Sequence, residues 1–257
     1  SPAGFDHAIA YVPSLDRFID PTAAWHSAWE LPGADQGASA LVIGDAGVRR
    51  LELPILPPEA NSFALLFDFP EAERDTFRGE ILAVGVRAAE LRERFAVPAT
   101  RDETLREMLG GEMPGVVIDS GDYSVGFEKD GVRITFVAHL PAGAPVALVP
   151  STFTVRRRFA GLATRNYPLD LEPLSWTRAA RFVPAPGAAI PEDGEIATPF
   201  GAAHRTVKRD GARVSIALGF HLDATRIETA DYKAFRQFAG DVDALFAPVA
   251  RLERGGQ

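Results

Sequence analysis

His7 and Asp20 are the two residues whose types and spacing could do chemistry together. An imidazole next to a carboxylate can generate a nucleophile. One ring nitrogen takes a proton from a thiol or hydroxyl, while the carboxylate on the other nitrogen fixes the tautomer and orientation of the ring. His7 lies in Phe5-Asp6-His7-Ala8-Ile9-Ala10-Tyr11-Val12, and Asp20 lies in Arg17-Phe18-Ile19-Asp20-Pro21-Thr22. Their order and separation suit the second and third members of a Cys-His-Asp triad. The sequence contains no cysteine, so it cannot itself supply the thiolate such a triad uses.

Two strands must position this pair. Residues 5–12 and 17–20 read as apolar strands, with the turn-like set Pro13-Ser14-Leu15-Asp16 between them. With those four residues as the loop, Val12 pairs with Arg17, Ile9 lies opposite Asp20, and His7 lies opposite Thr22. His7 and Asp20 are then diagonal neighbours on one face. A slip of one residue would separate them onto opposite faces.

After the pair, residues 23–40 read as a loop carrying Trp25, Trp29, Pro32, Gly33 and Gly37, and Ala40 to Ile43 as a short strand. Pro54, Pro57 and Pro58 exclude helix or central strand and mark a boundary. Strands come next at 62–69 and 76–86, and a helix at 87–95. A second helix begins after Thr100-Arg101-Asp102-Glu103, which has capping-box form. Asp130-Gly131 and Asp210-Gly211 each sit between alternating apolar positions and predict hairpins. Tyr232, Phe235, Phe238, Val242, Leu245, Phe246 and Val249 recur at helical spacing, predicting one helix from about 229 to 252 that docks on the preceding sheet. The fold class is α+β, mostly antiparallel β. Its units fall at 1–53, at 59–150 with a helical insert, and at 151–257 with the terminal helix.

The His and Asp segments resemble the His-strand and Asp-strand of the transglutaminase-like superfamily, within it bacterial proteins whose papain-like core is flanked by β-rich domains. Leu31-Pro32-Gly33-Ala34-Asp35-Gln36-Gly37 and the strand Ala40-Leu41-Val42-Ile43 are similar to the segment after the Asp-strand in those proteins. The terminal stretch around Asp231-Tyr232-Lys233-Ala234-Phe235-Arg236 is similar to their C-terminal end. The resemblance implies that His7 is the general base and Asp20 its orienter, and Gln36 lies in the matching segment. Trp25 and Trp29, four apart, read first as core or loop anchors and second as lining a cleft beside the site; with Gln36 they are the candidate binding residues. It implies cysteine-dependent acyl transfer or peptide hydrolysis on a protein or peptide substrate, with no cofactor and a periplasmic or envelope location, the cytoplasm remaining open. The thiolate is expected upstream, in an N-terminal half of the parent protein. The chain is expected to be inactive alone. The alternative is a non-catalytic binding or scaffold protein with a vestigial triad.

Composition bounds the rest. An apolar fraction of 46% and a charged fraction of 24% suit a globular protein with its own core. A formal charge of −8 argues against nucleic acid as a partner. No apolar run is long enough for a transmembrane segment. His26, His139, His204 and His221 lack metal-ligand spacing, and no metal site is expected. Arg156-Arg157-Arg158 with Arg165 forms a basic cluster, read as a solvated face.

Overall fold

The computed structural model describes residues 7–44, 47–70, 75–141, 144 and 154–247. Two small hairpins come first: β1 (Ala10–Val12) with β2 (Arg17–Ile19), and β3 (Ser39–Gly44) with β4 (Gly47–Glu52). The next elements are β5 (Ser62–Asp68), β6 (Thr76–Ala83), α1 (Val86–Arg94), α2 (Arg101–Gly110), β7 (Val117–Ser124), β8 (Val132–His139) and α3 (Val155–Phe159). The chain continues through β9 (Leu169–Asp170), β10 (Leu174–Phe182), β11 (Gly194–Thr198), β12 (Gly201–Asp210), β13 (Arg213–Leu222), β14 (Arg226–Ile227) and α4 (Tyr232–Phe246).

Eight of these strands form one sheet, in the order β11-β12-β13-β10-β5-β6-β8-β7. All neighbours are antiparallel except β5 and β10, where Ser62 to Asp68 run parallel to Ser175 to Arg181. The sheet therefore runs on across the boundary drawn at residue 150, and segments 59–150 and 151–257 share it. The fold is α+β and mostly antiparallel.

Alternation decides which face is buried. In β6, Phe77, Gly79, Ile81 and Ala83 point into the core while Arg78 and Leu82 are exposed. Gly79 is required there: a Cβ would lie 2.0 Å from the ring of Phe136, its direct cross-strand partner. Core residues from β5, β8, β10 and β13 lie on the same face and form one cluster with α1, α2 and α4. α4 buries Tyr232, Phe235, Phe238, Ala239, Val242 and Phe246, as its apolar stripe requires. Residues 248–252, the expected end of that helix, lie outside the described residues. The opposite sheet face is polar, with Arg133 paired to Glu80 at 2.5 Å.

Both Asp-Gly pairs sit where expected. Asp210-Gly211 turns β12 into β13, and Asp130-Gly131 ends the loop between β7 and β8, each Gly at positive φ. The capping box at Thr100 does not form. The Thr100 side chain donates back to the Val97 carbonyl, because a short 3-10 turn at 98–100 leads directly into α2.

Candidate active site

The first hairpin has the register its turn residues imply: Val12 pairs with Arg17, Tyr11 with Phe18, and Ala10 with Ile19. The loop is a 3-10 turn at 13–15, followed by Asp16 in the left-handed region at φ 47°. The Tyr11 hydroxyl donates to Asp16 at 2.7 Å, and Tyr11 and Phe18 pack ring to ring. Extending that register carries His7 and Asp20 onto one face. Their side chains meet, with Nε2 of His7 3.0 Å from Oδ2 of Asp20. Phe5 and Asp6, the start of the expected strand, lie outside the described residues.

Asp-Pro-Thr fixes the carboxylate locally. Oδ1 of Asp20 accepts both the Thr22 amide at 2.8 Å and the Thr22 hydroxyl at 2.7 Å, an Asx-type turn with the φ of Pro21 set by its ring. The Asp20 side chain is only 7% exposed, that of His7 43%. Burial opposes ionisation of Asp20. The Thr22 hydroxyl, the Thr22 amide and His7 together outweigh it and hold the carboxyl below its ordinary value. An ionised carboxylate only accepts, so Nε2 of His7 carries the proton and the lone pair of the neutral ring lies on Nδ1.

A third acidic group stands beside this pair. Asp35 is 8% exposed, its Oδ2 is buried without a hydrogen-bond donor, and a carboxylate oxygen lies within 4.8 Å of the ligand atoms of His7 and Asp20. Burial, and then the charge of Asp20, push the Asp35 carboxyl up, while His7 and His26 act in the opposite direction. His26 is shifted down, chiefly by burial, which favours its neutral form. His7, Asp20 and Asp35 are the one group among the described residues whose spacing could admit a cation. Oδ1 of Asp20 already accepts two hydrogen bonds and Oδ2 one, so the dyad's own contacts occupy most of the carboxylate. The arrangement is a hydrogen-bonded dyad with a neighbouring acid.

The loop that carries Asp20 and Asp35 is bolted to the sheet by residues from distant elements. Arg92 of α1 is 2% exposed and forks onto Glu30, with Nη1 to Oε2 at 2.6 Å and Nη2 to Oε1 at 3.0 Å. The same guanidinium donates to the carbonyls of Trp25 at 3.0 Å and Gly126 at 2.7 Å, and its Cζ lies 5.1 Å from the Phe127 ring centroid. Glu30 also accepts the Ser27 amide at 2.8 Å. A second bolt is Gln36. Its Nε2 donates to the Leu31 carbonyl, and its Oε1 accepts from the Leu56 amide and from Nδ2 of buried Asn61. Asn61 donates in turn to the Pro173 carbonyl before β10 and accepts the Val86 amide at the start of α1. Gly85 permits this approach: its φ is +62°, and a Cβ would stand 2.0 Å from the Ala60 carbonyl.

The residues read as binding candidates thus take different places. Gln36 is an internal strut, with its amide spent on the fold. Trp25 contributes its carbonyl to Arg92 and leaves its ring partly exposed. Trp29 is 42% exposed, and its ring already meets two cations, Arg17 at 4.8 Å and Lys129 at 5.3 Å. His139 and His221 sit on strands of the large sheet or at their ends, paired with Asp119 and Asp223, and His204 packs across Gly219. Sequence reasoning missed Asp35 as a neighbour of the dyad, and it missed Arg92 and Glu30 altogether. Only Thr22 had a local signal, in Asp-Pro-Thr.

A scan against protein-family models, a search of curated proteins and a search of solved structures each returned no match to this chain.

Proposed function

We propose that His7 and Asp20 are the base and the orienting carboxylate of a cysteine-dependent acyl-transfer site of transglutaminase-like type, acting on a protein or peptide substrate. The thiolate comes from a segment of the parent polypeptide upstream of this cysteine-free sequence. The observation that carries the reading is the 3.0 Å contact between Nε2 of His7 and the ionised carboxylate of Asp20, which leaves the basic lone pair on Nδ1.

The chemistry follows from that tautomer. Nδ1 takes the thiol proton, and the thiolate attacks the amide carbonyl. The tetrahedral adduct collapses to a thioester as the leaving amine takes the proton from Nδ1. Water or a second amine then attacks the thioester and regenerates the thiol. Asp20 stays ionised and stabilises the imidazolium in between. Burial biases Asp35 towards its neutral form, which limits the negative charge gathered beside the dyad.

Two measurements test this. In the parent polypeptide, iodoacetamide alkylation of the upstream thiol at pH 7 should slow by about 10²-fold or more in His7→Ala. An unchanged rate removes His7 from the mechanism. In the 257-residue chain, nitrogen-detected NMR should find His7 as the Nε2-protonated tautomer, and Asp20→Asn should mix the tautomers. A resting Nδ1-protonated ring refutes the assignment. The second reading is a binding or scaffold protein whose dyad is a structural hydrogen bond. It is favoured by the absence of cysteine from the sequence. It stands if the parent places Ser, Ala or Gly where the thiol is required.

A further inference from the structure

A second site lies away from the dyad, where α3 meets α4. Asp243 of α4 receives the backbone amides of Val155 and Arg156 at 2.6 and 3.1 Å, which docks the short helix onto the long one. Beside this junction is a cleft of about 680 Å³. Four cationic residues from three segments line it: Arg156 of α3, Arg165 of the following loop, and Lys233 and Arg236 of α4. The cleft has one carboxylate, Asp241, whose oxygen accepts from Gln237 at 2.7 Å.

Some cations elsewhere in the molecule are neutralised by ion pairs and others are not; what sets this cleft apart is that four gather in one place. Arg92, Arg133, Arg178, Arg213 and Arg226 each contact a carboxylate. Among the described residues, none of the four cleft cations has a carboxylate within ion-pair distance. In a chain of formal charge −8, four like charges gathered with only Asp241 in the cleft and Asp243 near Arg156 as counter-charges repel one another unless an anion joins them. One of them is also held in place. Arg165 donates its Nε to the Tyr167 carbonyl at 3.3 Å, and its Cζ lies 5.8 Å from the ring centroid of Tyr232. The Tyr232 hydroxyl is tied to the Leu162 carbonyl at 2.9 Å. Arg236 has its Nε buried with no acceptor, a donor that a ligand oxygen would satisfy. At Gly240, one turn further along α4, an added Cβ would lie 3.9 Å from Cδ of Arg156, so the Arg156 side chain runs beside the helix here.

We propose that this cleft binds the phosphate groups of a small soluble polyanion of pyrophosphate or phosphate-ester type, with Arg236 and Arg165 as its principal donors. Guanidinium forks match phosphate oxygens in pairs. Four cations against one carboxylate exceed what a single carboxylate ligand would neutralise. The volume falls within the range of small-ligand sites. The negative charge of the whole chain opposes an extended polyanion such as nucleic acid but not a ligand small enough to sit inside the cleft. This site does not depend on the acyl-transfer reading.

The test is isothermal titration of the chain with inorganic pyrophosphate at low ionic strength, with acetate as comparator. Pyrophosphate should bind at least tenfold more tightly than acetate, and Arg236→Gln and Arg165→Gln should each weaken it at least fivefold. Arg209→Gln, an exposed cation on β12, should leave the affinity within twofold. If Arg236→Gln fails to fold, Lys233→Ala on the exposed flank of α4 replaces it, with a loss of at least threefold expected. Equal affinity for acetate, or an equal loss in Arg209→Gln, overturns the proposal. Sedimentation with phosphatidylglycerol vesicles separates the sources of phosphate. Vesicle binding that Arg236→Gln abolishes, with no heat from pyrophosphate, overturns the soluble-ligand assignment in favour of a lipid headgroup.

Discussion

Replacing Arg92 with Met removes the guanidinium that joins three stretches of chain: the loop at 25–30, α1, and the turn at Gly126. The aliphatic stem is largely kept, so the loss is electrostatic and hydrogen-bonded. Glu30 would be left buried without its bidentate partner, and the carbonyls of Trp25 and Gly126 would lose their donor. Breaking a buried pair from one side costs about 3–5 kcal/mol, because the remaining charge is uncompensated. Against a typical total of about 5–15 kcal/mol, that is a large fraction. With a urea dependence of roughly 3 kcal/mol/M for a chain of this size, the midpoint should fall by about 1–2 M. Tryptophan fluorescence is the assay, since Trp25 and Trp29 flank the loop that Glu30 anchors. The double variant Arg92→Met, Glu30→Leu should regain part of the loss, since no orphaned charge remains. The coupling between the two positions should exceed about 1.5 kcal/mol. A single-variant loss below about 1 kcal/mol, or a coupling near zero, would refute the idea that this ion pair holds the site loop.

The remaining expectations concern the dyad and its supports. Thr22→Val keeps the amide contact to Asp20 but removes the hydroxyl, at a cost of about 1–2 kcal/mol. The Asp20 pKa should then rise, as read by carbon-detected NMR. Because the folded-state pKa of Asp20 is depressed, its contribution is present above the unfolded carboxylate range and is lost as pH falls through the folded value. Thr22→Val should therefore flatten the acid limb of the stability profile, and an unaltered limb would count against the Thr22 contacts. Asp35 has the opposite sign. Its folded-state pKa is raised, so the native state binds the extra proton and stability is lost as pH rises from the unfolded carboxylate value through the folded one. Asp35→Asn should thus gain melting temperature relative to the parent chain at pH 7 compared with pH 4, and a larger deficit at pH 7 would contradict the burial argument. Gln36→Ala strands the Leu56 amide and removes an acceptor from Asn61, at about 2–3 kcal/mol in urea melts. A neutral result would mean that Gln36 is no strut.

The parts of this molecule that were legible in its sequence are those decided by neighbours along the chain. Alternation in β6, the Asp-Gly turns and the aromatic stripe of α4 each state a local periodicity, and packing had only to follow it. The register of β1 and β2 was legible because four turn residues leave one pairing, and Asp-Pro-Thr describes the cradle of Asp20 within three residues. The parallel pairing of β5 with β10 was not legible, since its strands are far apart in the chain and no local pattern distinguishes that partner from another. The same holds for Asp35 beside Asp20, where the approach depends on the path of a loop. Arg92 was hidden more deeply, because a charged residue on an amphipathic helix reads as solvent-facing until its partner, 62 residues away, is known.

The site should respond to substitution along the same division. The proton chemistry of the dyad rests on local contacts at Thr22, so substitutions there should alter titration while leaving most of the stability in place. The position of the dyad relative to the sheet rests on Arg92, Gln36 and Asn61, all buried or partly buried and all joining distant segments. Substitutions at those residues remove contacts that no neighbour can replace, and should move stability and site geometry together. The residues least readable in the sequence are thus the ones whose loss should be felt most widely. Parallel measurement of the His7 tautomer and the urea midpoint across Thr22→Val, Gln36→Ala and Arg92→Met tests this directly. A Thr22→Val that unfolds as readily as Arg92→Met would show that the hairpin, and not the Arg92 junction, carries the loop.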